Sequence, residues 1–454
     1  MPQVVTVPVS QLGNRSYLAH DGRHALAIDP PRDVEALEAA AEEAGVRIVA
    51  VAETHVHNDF VSGARRLSDR HRARHLVAAA APLRFLRSPV FDGDKVQVGD
   101  LQVEVIATPG HTAEHLAFLV TTDAGEAPAL FTGGSLLFGT VGRTDLLGEE
   151  LAEPLARAQH RSVRRLHDTL PGETRLLPTH GFGSFCASTT ADTPEGSTLA
   201  DQAATNPALT TEDEDTFVRG LLAGFGAYPR YYEHMAELNR HQLPPPPAPA
   251  PLDPAGVRSA VAGGARLVDL RDREAYARAH HEGSWGVEYG DQAATYLGWL
   301  APWGQRLVLV ADDTEPLERA VVDLQRIGVD DVAVGEVEPH PGPEPATGCP
   351  GYRRLRWEDL ADARTDGEPF VLDVRGRDEF DDGHVPGAVN VPLHELVPDH
   401  EALPDGEVWV HCRSGYRASI GASLLHAAGR PVVHVDDDVE RSAAAGVSLT
   451  TTDG

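Results

Sequence analysis

The stretch Pro244-Pro-Pro-Pro-Ala-Pro-Ala-Pro251 divides this chain. Proline fixes φ and has no N–H to donate, so a run this dense is neither helix nor interior strand and reads as an extended spacer. No single hydrophobic core continues through it, and a length of 454 residues leaves room for two to four domains. Beyond the spacer the sequence repeats itself. Leu267-Val-Asp-Leu-Arg271 aligns with Val371-Leu-Asp-Val-Arg375, and His280-His-Glu-Gly283 aligns at the same offset with His384-Val-Pro-Gly387. Two domains of one kind are therefore expected, over 252–338 and 353–454, separated by a second linker over 339–352 that carries the proline-rich loop Glu338–Pro345.

Residues 1–243 read as a domain of their own. Val4–Pro8, Tyr17–Ala19, Ala25–Asp29, Arg47–Ala52 and Leu76–Ala80 have the short apolar pattern of strands, and Asp33–Ala44 has helical spacing. The turns Asp92–Asp94 and Val98–Asp100 bracket a hairpin that runs on into Leu101–Ala107. Glu149–Leu170 and most of Asp213–His241 are read as helical. This alternation predicts an α/β sandwich of sheets covered by helices.

The chemistry concentrates where predicted strands end. Arg47-Ile-Val-Ala-Val-Ala52 is apolar enough to be covered on both faces, and it delivers Thr54-His-Val-His-Asn-Asp59 into a loop. There His55 and His57 are free of strict strand alternation and can converge on one cation, with Asp59 able to orient one of them or to bind an ion. Thr108-Pro-Gly-His-Thr112 presents His111 just after a strand, and Leu177-Pro-Thr-His-Gly181 presents His180 in the same way. Cys186 follows six residues after His180; it is either a thiol in the same pocket or a small buried residue.

Together these motifs resemble the metallo-β-lactamase superfamily, which implies the αβ/βα sandwich fold. The superfamily's first motif usually ends in a further histidine serving a second metal; here Phe60 stands in its place, which implies a single-metal site. Glu53–Gly63 is similar to the persulfide dioxygenase branch, which implies mononuclear Fe(II), one per chain, with Zn the alternative and no organic cofactor. One position departs from the pattern: in Phe131-Thr-Gly-Gly-Ser-Leu136, Gly134 replaces the family's metal-binding aspartate. The resemblance then leaves three arrangements. His57 joins His55 and His111 as ligands, which is the preferred set; Asp59 or Asp145 supplies the missing oxygen, with His180 in reserve as ligand or supporting residue; or the site has lapsed into scaffold.

The second repeat carries a different centre. Glu407-Val-Trp-Val-His411 reads as a strand, Cys412-Arg-Ser-Gly-Tyr-Arg417 as a loop and Ala418–Ala428 as a helix. A cysteine before a helix N-terminus meets several backbone N–H groups and the positive end of the dipole, which is expected to lower its thiol pKa and to hold a persulfide anion. The loop Arg413, Ser414, Gly415 and Tyr416 would form that cradle, with Arg417 closing it. The shape of the loop also resembles the C-x5-R phosphate loop of tyrosine phosphatases, but Asp373-Val-Arg375, Glu379-Phe380 and Gly383–Ala388 resemble the rhodanese sulfurtransferases. That resemblance implies Cys412 as the residue that takes up and passes on sulfane sulfur. In the first repeat Asp312 and Leu317 occupy the cysteine and arginine positions, so that copy is read as inactive.

A formal charge of −30 argues against nucleic-acid and anionic-membrane partners, since the field repels phosphates. Cys186, Cys349 and Cys412 are an odd number at wide spacing, which points to reduced thiols in a cytoplasm; Cys349 is read as an exposed linker thiol. No leader or membrane span is read in the sequence. The expectation is an enzyme of sulfur metabolism, a persulfide dioxygenase and sulfurtransferase acting on a small thiol persulfide, O2, and sulfite or thiosulfate, with homo-oligomerisation left open. The alternatives are a sulfurtransferase on a metal-poor scaffold, a zinc thioesterase of the glyoxalase II type and a non-catalytic persulfide-binding adaptor.

Overall fold

A computed structural model describes residues 2–122, 127–187, 196–290, 292–336, 350–396 and 403–451. Cys349 and nearly all of the second linker lie outside the described residues. The chain divides into two compact units, the first built mainly from residues 1–247 and the second mainly from 248–454.

The first unit is a sandwich of two sheets. One has six strands in the order Gln3–Val9, Asn14–His20, His24–Ile28, Arg47–Ala52, Arg74–Ala78 and Ser88–Val90. The other has five, ordered Arg175–Pro178, Ala129–Gly133, Leu116–Thr122, Leu101–Ala107 and Lys95–Val98. Their facing side chains, among them Tyr17, Leu26, Ile28, Val103, Val105, Phe118 and Phe131, form one buried core. Helix Glu35–Glu43 covers the outer face of the first sheet through Leu37 and Ala41, and helix Glu149–Thr169 covers the second through Ala156, Val163 and Leu166.

Strand Arg47–Ala52 is apolar on both sides because it is buried on both. Ile48 and Val51 face the helix layer, whereas Ala50 and Ala52 face the inter-sheet core. Two strands of one sheet and three of the other therefore bring Asp29, Thr54, Thr108, Gly134 and Thr179 to a common edge of the sandwich. The segment expected to be helical over 213–241 is two helices, Glu214–Ala223 and Tyr232–Asn239, broken around Gly224 and Pro229.

In the second unit two parallel five-stranded sheets share one strand order. The first runs Ala250–Leu252, Val332–Gly335, Leu307–Val310, Arg266–Asp269, Trp285–Gly286; the second runs Arg353–Leu355, Val432–Val435, Val408–His411, Phe370–Asp373, Val389–Asn390. The proline spacer ends earlier than its composition suggests, because Ala250 and Pro251 belong to the first sheet's edge strand. An edge is where a strand proline is tolerated, since one side of the strand needs no donor.

The repeat extends to individual contacts. Arg375 Nη2 donates to Asp373 Oδ2 at 2.6 Å and to Gly383 O at 2.7 Å; Arg271 Nη2 donates to Asp269 Oδ2 at 2.6 Å and to Ala279 O at 2.9 Å. The His384 ring stacks on Phe380 at 3.8 Å and the His280 ring on Tyr276 at 4.0 Å. Among the described residues, no helix is long and apolar enough to cross a membrane.

Candidate functional site

His55, His57, His111 and His180 gather at the strand edge of the first unit, all fully buried. Ring centroids lie 4.2 Å apart for His55 and His57, 4.8 Å for His55 and His111, and 5.3 Å for His111 and His180. The hydrogen bonds around them assign their tautomers. Thr54 Oγ1 gives its one proton to Asp29 Oδ2 at 2.8 Å, so at 2.8 Å from His55 Nδ1 it accepts. His111 Nδ1 lies 2.7 Å from the Arg143 carbonyl, which only accepts. His180 Nδ1 lies 3.0 Å from Asn14 Oδ1 and 3.3 Å from Asp59 Oδ2, and Asn14 is oriented by donating its own amide to that carboxylate at 2.6 Å. In all three rings Nδ1 carries the proton and Nε2 carries a lone pair.

Those lone pairs face inward. His55 Nε2 and His180 Nε2 are 3.3 Å apart with no proton between them in these tautomers, and His111 Nε2 has no hydrogen-bond partner among the described residues. Buried polar atoms left in this state are costly, and a cation between them removes the cost. Among the described residues, two groups hold donor atoms within 4.8 Å of one another: His55, His57 and His180, and His111, His180 and Cys186. Imidazole with thiolate or carboxylate suits Zn and Fe, so the residues present fit a divalent transition ion.

The electrostatics separate the histidines. Burial, then the neighbouring imidazoles, keep His55 far below its ordinary value; burial and His180 bring His111 down to about 3. His57 goes the other way: burial opposes its charge, but Asp29, with Oδ1 at 3.2 Å from His57 Nε2, raises it. Burial also works against the Asp29 carboxylate, yet His57, Thr179 and Thr54 hold it below the usual range. Phe60 stacks on the His57 ring at 4.2 Å.

The Cys412 centre lies at the end of strand Val408–His411. Helix Tyr416–Ala427 begins two residues sooner than the sequence pattern suggests, so Tyr416 and Arg417 are its first turn rather than loop. The turn is made by Gly415 at φ +86°, where an added Cβ would lie 2.0 Å from Asp436 Oδ1. Backbone N–H groups of Ala418, Ser414 and Gly415 act on the buried sulfur, together with Arg417. The expected net fall in thiol pKa is not found. Burial is the largest influence and leaves Cys412 above its ordinary value, because a sulfur cut off from water loses more solvation than the cradle returns. Arg417 is held from α-helix Arg377–Asp382 by Glu379, with Nη2 donating to Oε1 at 2.8 Å.

With both centres described, relatives can be compared. Residues 357–444 match the rhodanese-like domain family. A hydroxyacylglutathione hydrolase of Cereibacter sphaeroides is 32% identical over 234 residues, 46% of this chain and 86% of that protein. The human mitochondrial persulfide dioxygenase ETHE1 is 29% identical over 212 residues, 44% of this chain and 73% of that protein. A solved metallo-β-lactamase from Staphylococcus aureus matches at a TM-score of 0.66 and 30% identity, over 74% of this chain and 99% of that one. The chain belongs to the metallo-β-lactamase family.

Within this metallo-β-lactamase fold, Gly134 has a structural reason. A Cβ at Gly134 would lie 2.3 Å from His111 Cδ2, and one at Gly142 would lie 2.7 Å from His111 Nδ1. The His111 ring is wedged between two glycines and fills the space a side chain at position 134 would need. Asp145 is not brought into the cluster; both its oxygens accept from Arg143, at 2.7 Å each. Asp59 stands behind His180, where it orients the ring.

Several residues of the site escape a reading of motifs. Asp29 ends a strand thirty or so positions upstream, with only its place after an apolar run as a signal. His115 looks like a ligand, four residues after His111, but both nitrogens are used: Nε2 accepts from Gly134 N at 3.0 Å and Nδ1 lies 2.8 Å from Thr108 Oγ1. Asn239 pins the histidine loop by donating to the His57 and Phe60 carbonyls at 2.8 Å each. Tyr296, from the first repeat, is buried near Cys412; burial foremost, and then the charges of Arg417, Cys412 and Glu379, leave its hydroxyl at about 12.

Proposed function

We propose that the chain oxidises a low-molecular-weight persulfide with O2 at the histidine centre and moves sulfane sulfur through Cys412. The observation that carries the reading is that one chain holds both an inward-facing set of Nε2 donors in fixed tautomers and a cysteine beneath three backbone N–H groups. The first reaction balances as RSSH + O2 + H2O → RSH + H2SO3. His180, common to both donor groups, would hold one ion with His55 on one side and His111 on the other, and Fe(II) is the choice that suits O2 chemistry; His57, expected with His55 and His111 as a ligand, faces Asp29 instead. Such an ion would supply a Lewis acid for sulfur and oxygen.

The remaining work falls to the protein. Thr54, the Arg143 carbonyl and the Asn14–Asp59 pair keep each imidazole proton away from the ion, so the rings remain donors. At the second centre the Cys412 thiolate attacks the outer sulfur of a persulfide; the S–S bond breaks, RSH departs with the proton and Cys412 carries the sulfur. The N–H groups of Ser414, Gly415 and Ala418 face the new anionic sulfur, and sulfite or another nucleophile removes it to regenerate the thiolate. The first repeat, read as a second rhodanese domain with Asp312 in the cysteine position, is inactive: Asp253, Asp312, Asp313 and Glu336 line an open depression of about 670 Å³ that repels anionic sulfur compounds. The zinc thioesterase reading fares worse, because Phe60 contributes no donor and covers His57.

The test is metal content of anaerobically purified protein measured beside O2 uptake on glutathione persulfide, with Cys412→Ser in parallel. Stoichiometric iron, O2 uptake in both proteins and loss of sulfur transfer only in the variant are expected. Absence of metal and of O2 uptake would leave Cys412 as the sole centre and sink the dioxygenase.

A further inference from the structure

We infer that Cys186 is a thiolate ligand of the metal, completing a set with His111 and His180. The inference rests on the reading of the histidine centre as a metal site and adds to it the residue that supplies the negative charge. Sγ of Cys186 and the ring nitrogens of His111 and His180 lie within 4.8 Å of one another, and all three residues are fully buried. His111 Nε2 is an unpartnered lone pair, and His180 Nε2 is a lone pair facing that of His55 at 3.3 Å. A thiol beside two acceptors offers one proton for several lone pairs, whereas an ion satisfies all of them.

Burial and the Asp59 carboxylate hold the Cys186 thiol well above its ordinary value, so it is the ion that would make it a thiolate. As a thiol, Cys186 Sγ donates to Tyr232 Oη at 3.7 Å; once ionised, the sulfur can accept the Tyr232 proton instead. The chain bearing the thiol is fixed at two points: Arg143 N donates to Cys186 O at 2.9 Å and Cys186 N donates to Ser184 Oγ at 3.2 Å. Arg143 also binds the Phe185 carbonyl, and its own carbonyl holds His111 Nδ1, so one residue positions both ligands. Position 134 cannot supply a carboxylate while the His111 ring occupies its space. Binding a divalent ion releases the Cys186 proton to solvent and leaves one anionic donor among neutral imidazoles. The ion does not change oxidation state in this step.

Cobalt(II) titration of the anaerobic full-length chain tests this by absorption, without turnover. The wild type is expected to bind cobalt stoichiometrically and to show a near-ultraviolet sulfur-to-cobalt charge-transfer band. The same band is expected in a Cys349→Ser, Cys412→Ser double variant, in which Cys186 is the only thiol. Cys186→Ser should lose the band and more than the ~10–100-fold in cobalt affinity that removal of an outer partner costs. The double variant leaves the histidine centre intact, so the result does not depend on whether Cys186→Ser folds. Stoichiometric cobalt with no such band in wild type and double variant would overturn the thiolate ligand and leave the metal site standing. No cobalt binding at all would overturn both.

Discussion

Substituting Gly134 by alanine places one methyl group 2.3 Å from His111 Cδ2 and 2.8 Å from Nε2. Carbon atoms rest at about 3.5–4.0 Å, so the ring must move by on the order of 1 Å. Towards Gly142 it has little room, because the ring already lies so close to that backbone that a Cβ added there would be 2.7 Å from His111 Nδ1. A displacement of that size carries the 2.7 Å bond between His111 Nδ1 and the Arg143 carbonyl beyond hydrogen-bonding range. Overpacking costs about 1–3 kcal/mol and a buried donor left unpaired about 1–3 kcal/mol; with partial relaxation the sum is about 2–4 kcal/mol. For a domain of this size that corresponds to a fall of roughly 5–15 °C in the thermal transition of the first unit. Scanning calorimetry reads the shift, and metal analysis of the same sample should show depleted metal. Gly134→Asp, which restores the carboxylate that the family resemblance implies, should be worse than alanine. An aspartate variant with improved metal retention and an unchanged transition would refute the idea that His111 and a side chain at 134 compete for one space.

Because burial raises the Cys412 thiol, its thiolate fraction at neutral pH is small and grows as pH rises towards the elevated value. Alkylation of Cys412 in a Cys186→Ser, Cys349→Ser background should therefore accelerate steadily from pH 7 to 9; a plateau below pH 8 would contradict it. Gly415→Ala forces a residue with a side chain to φ +86° and into Asp436, so sulfur transfer should fall at least 10-fold while O2 uptake is unchanged, measured as two separate assays. Asp373→Ala strands the buried Arg375 and should destabilise its domain by about 3–5 kcal/mol in denaturant titration. Asp269→Ala, which removes the carboxylate partner of Arg271, should cost a similar amount, since the first repeat has the same contact.

What the sequence made legible follows from how local each signal is. The covered strand Arg47–Ala52, the histidines at strand ends and the paired Asp-x-Arg motifs all depend on neighbours within a few residues, and the structure places them as read. The meaning of Gly134 depends on the His111 ring, more than twenty positions away, and no spacing rule connects them. Asp29, His115 and Tyr296 reach the two centres only through tertiary packing, so their residue types alone are uninformative. The acidity of Cys412 departs from expectation for a related reason: the N–H cradle is written in the loop, but the burial that outweighs it comes from everything packed around the loop.

The complete burial of His55, His111, His180 and Cys186 also governs when an ion can be acquired. With no donor reaching solvent, exchange requires the strand-end loops to open, and the opening rate rather than affinity then sets how long an ion stays. A chelator added to the folded protein would work slowly, and a competing metal would be shut out on the same timescale. Metal identity would thus be decided by which ion is at hand when the sandwich closes, making the cell's free metal pool at synthesis a determinant of which chemistry the mature protein performs.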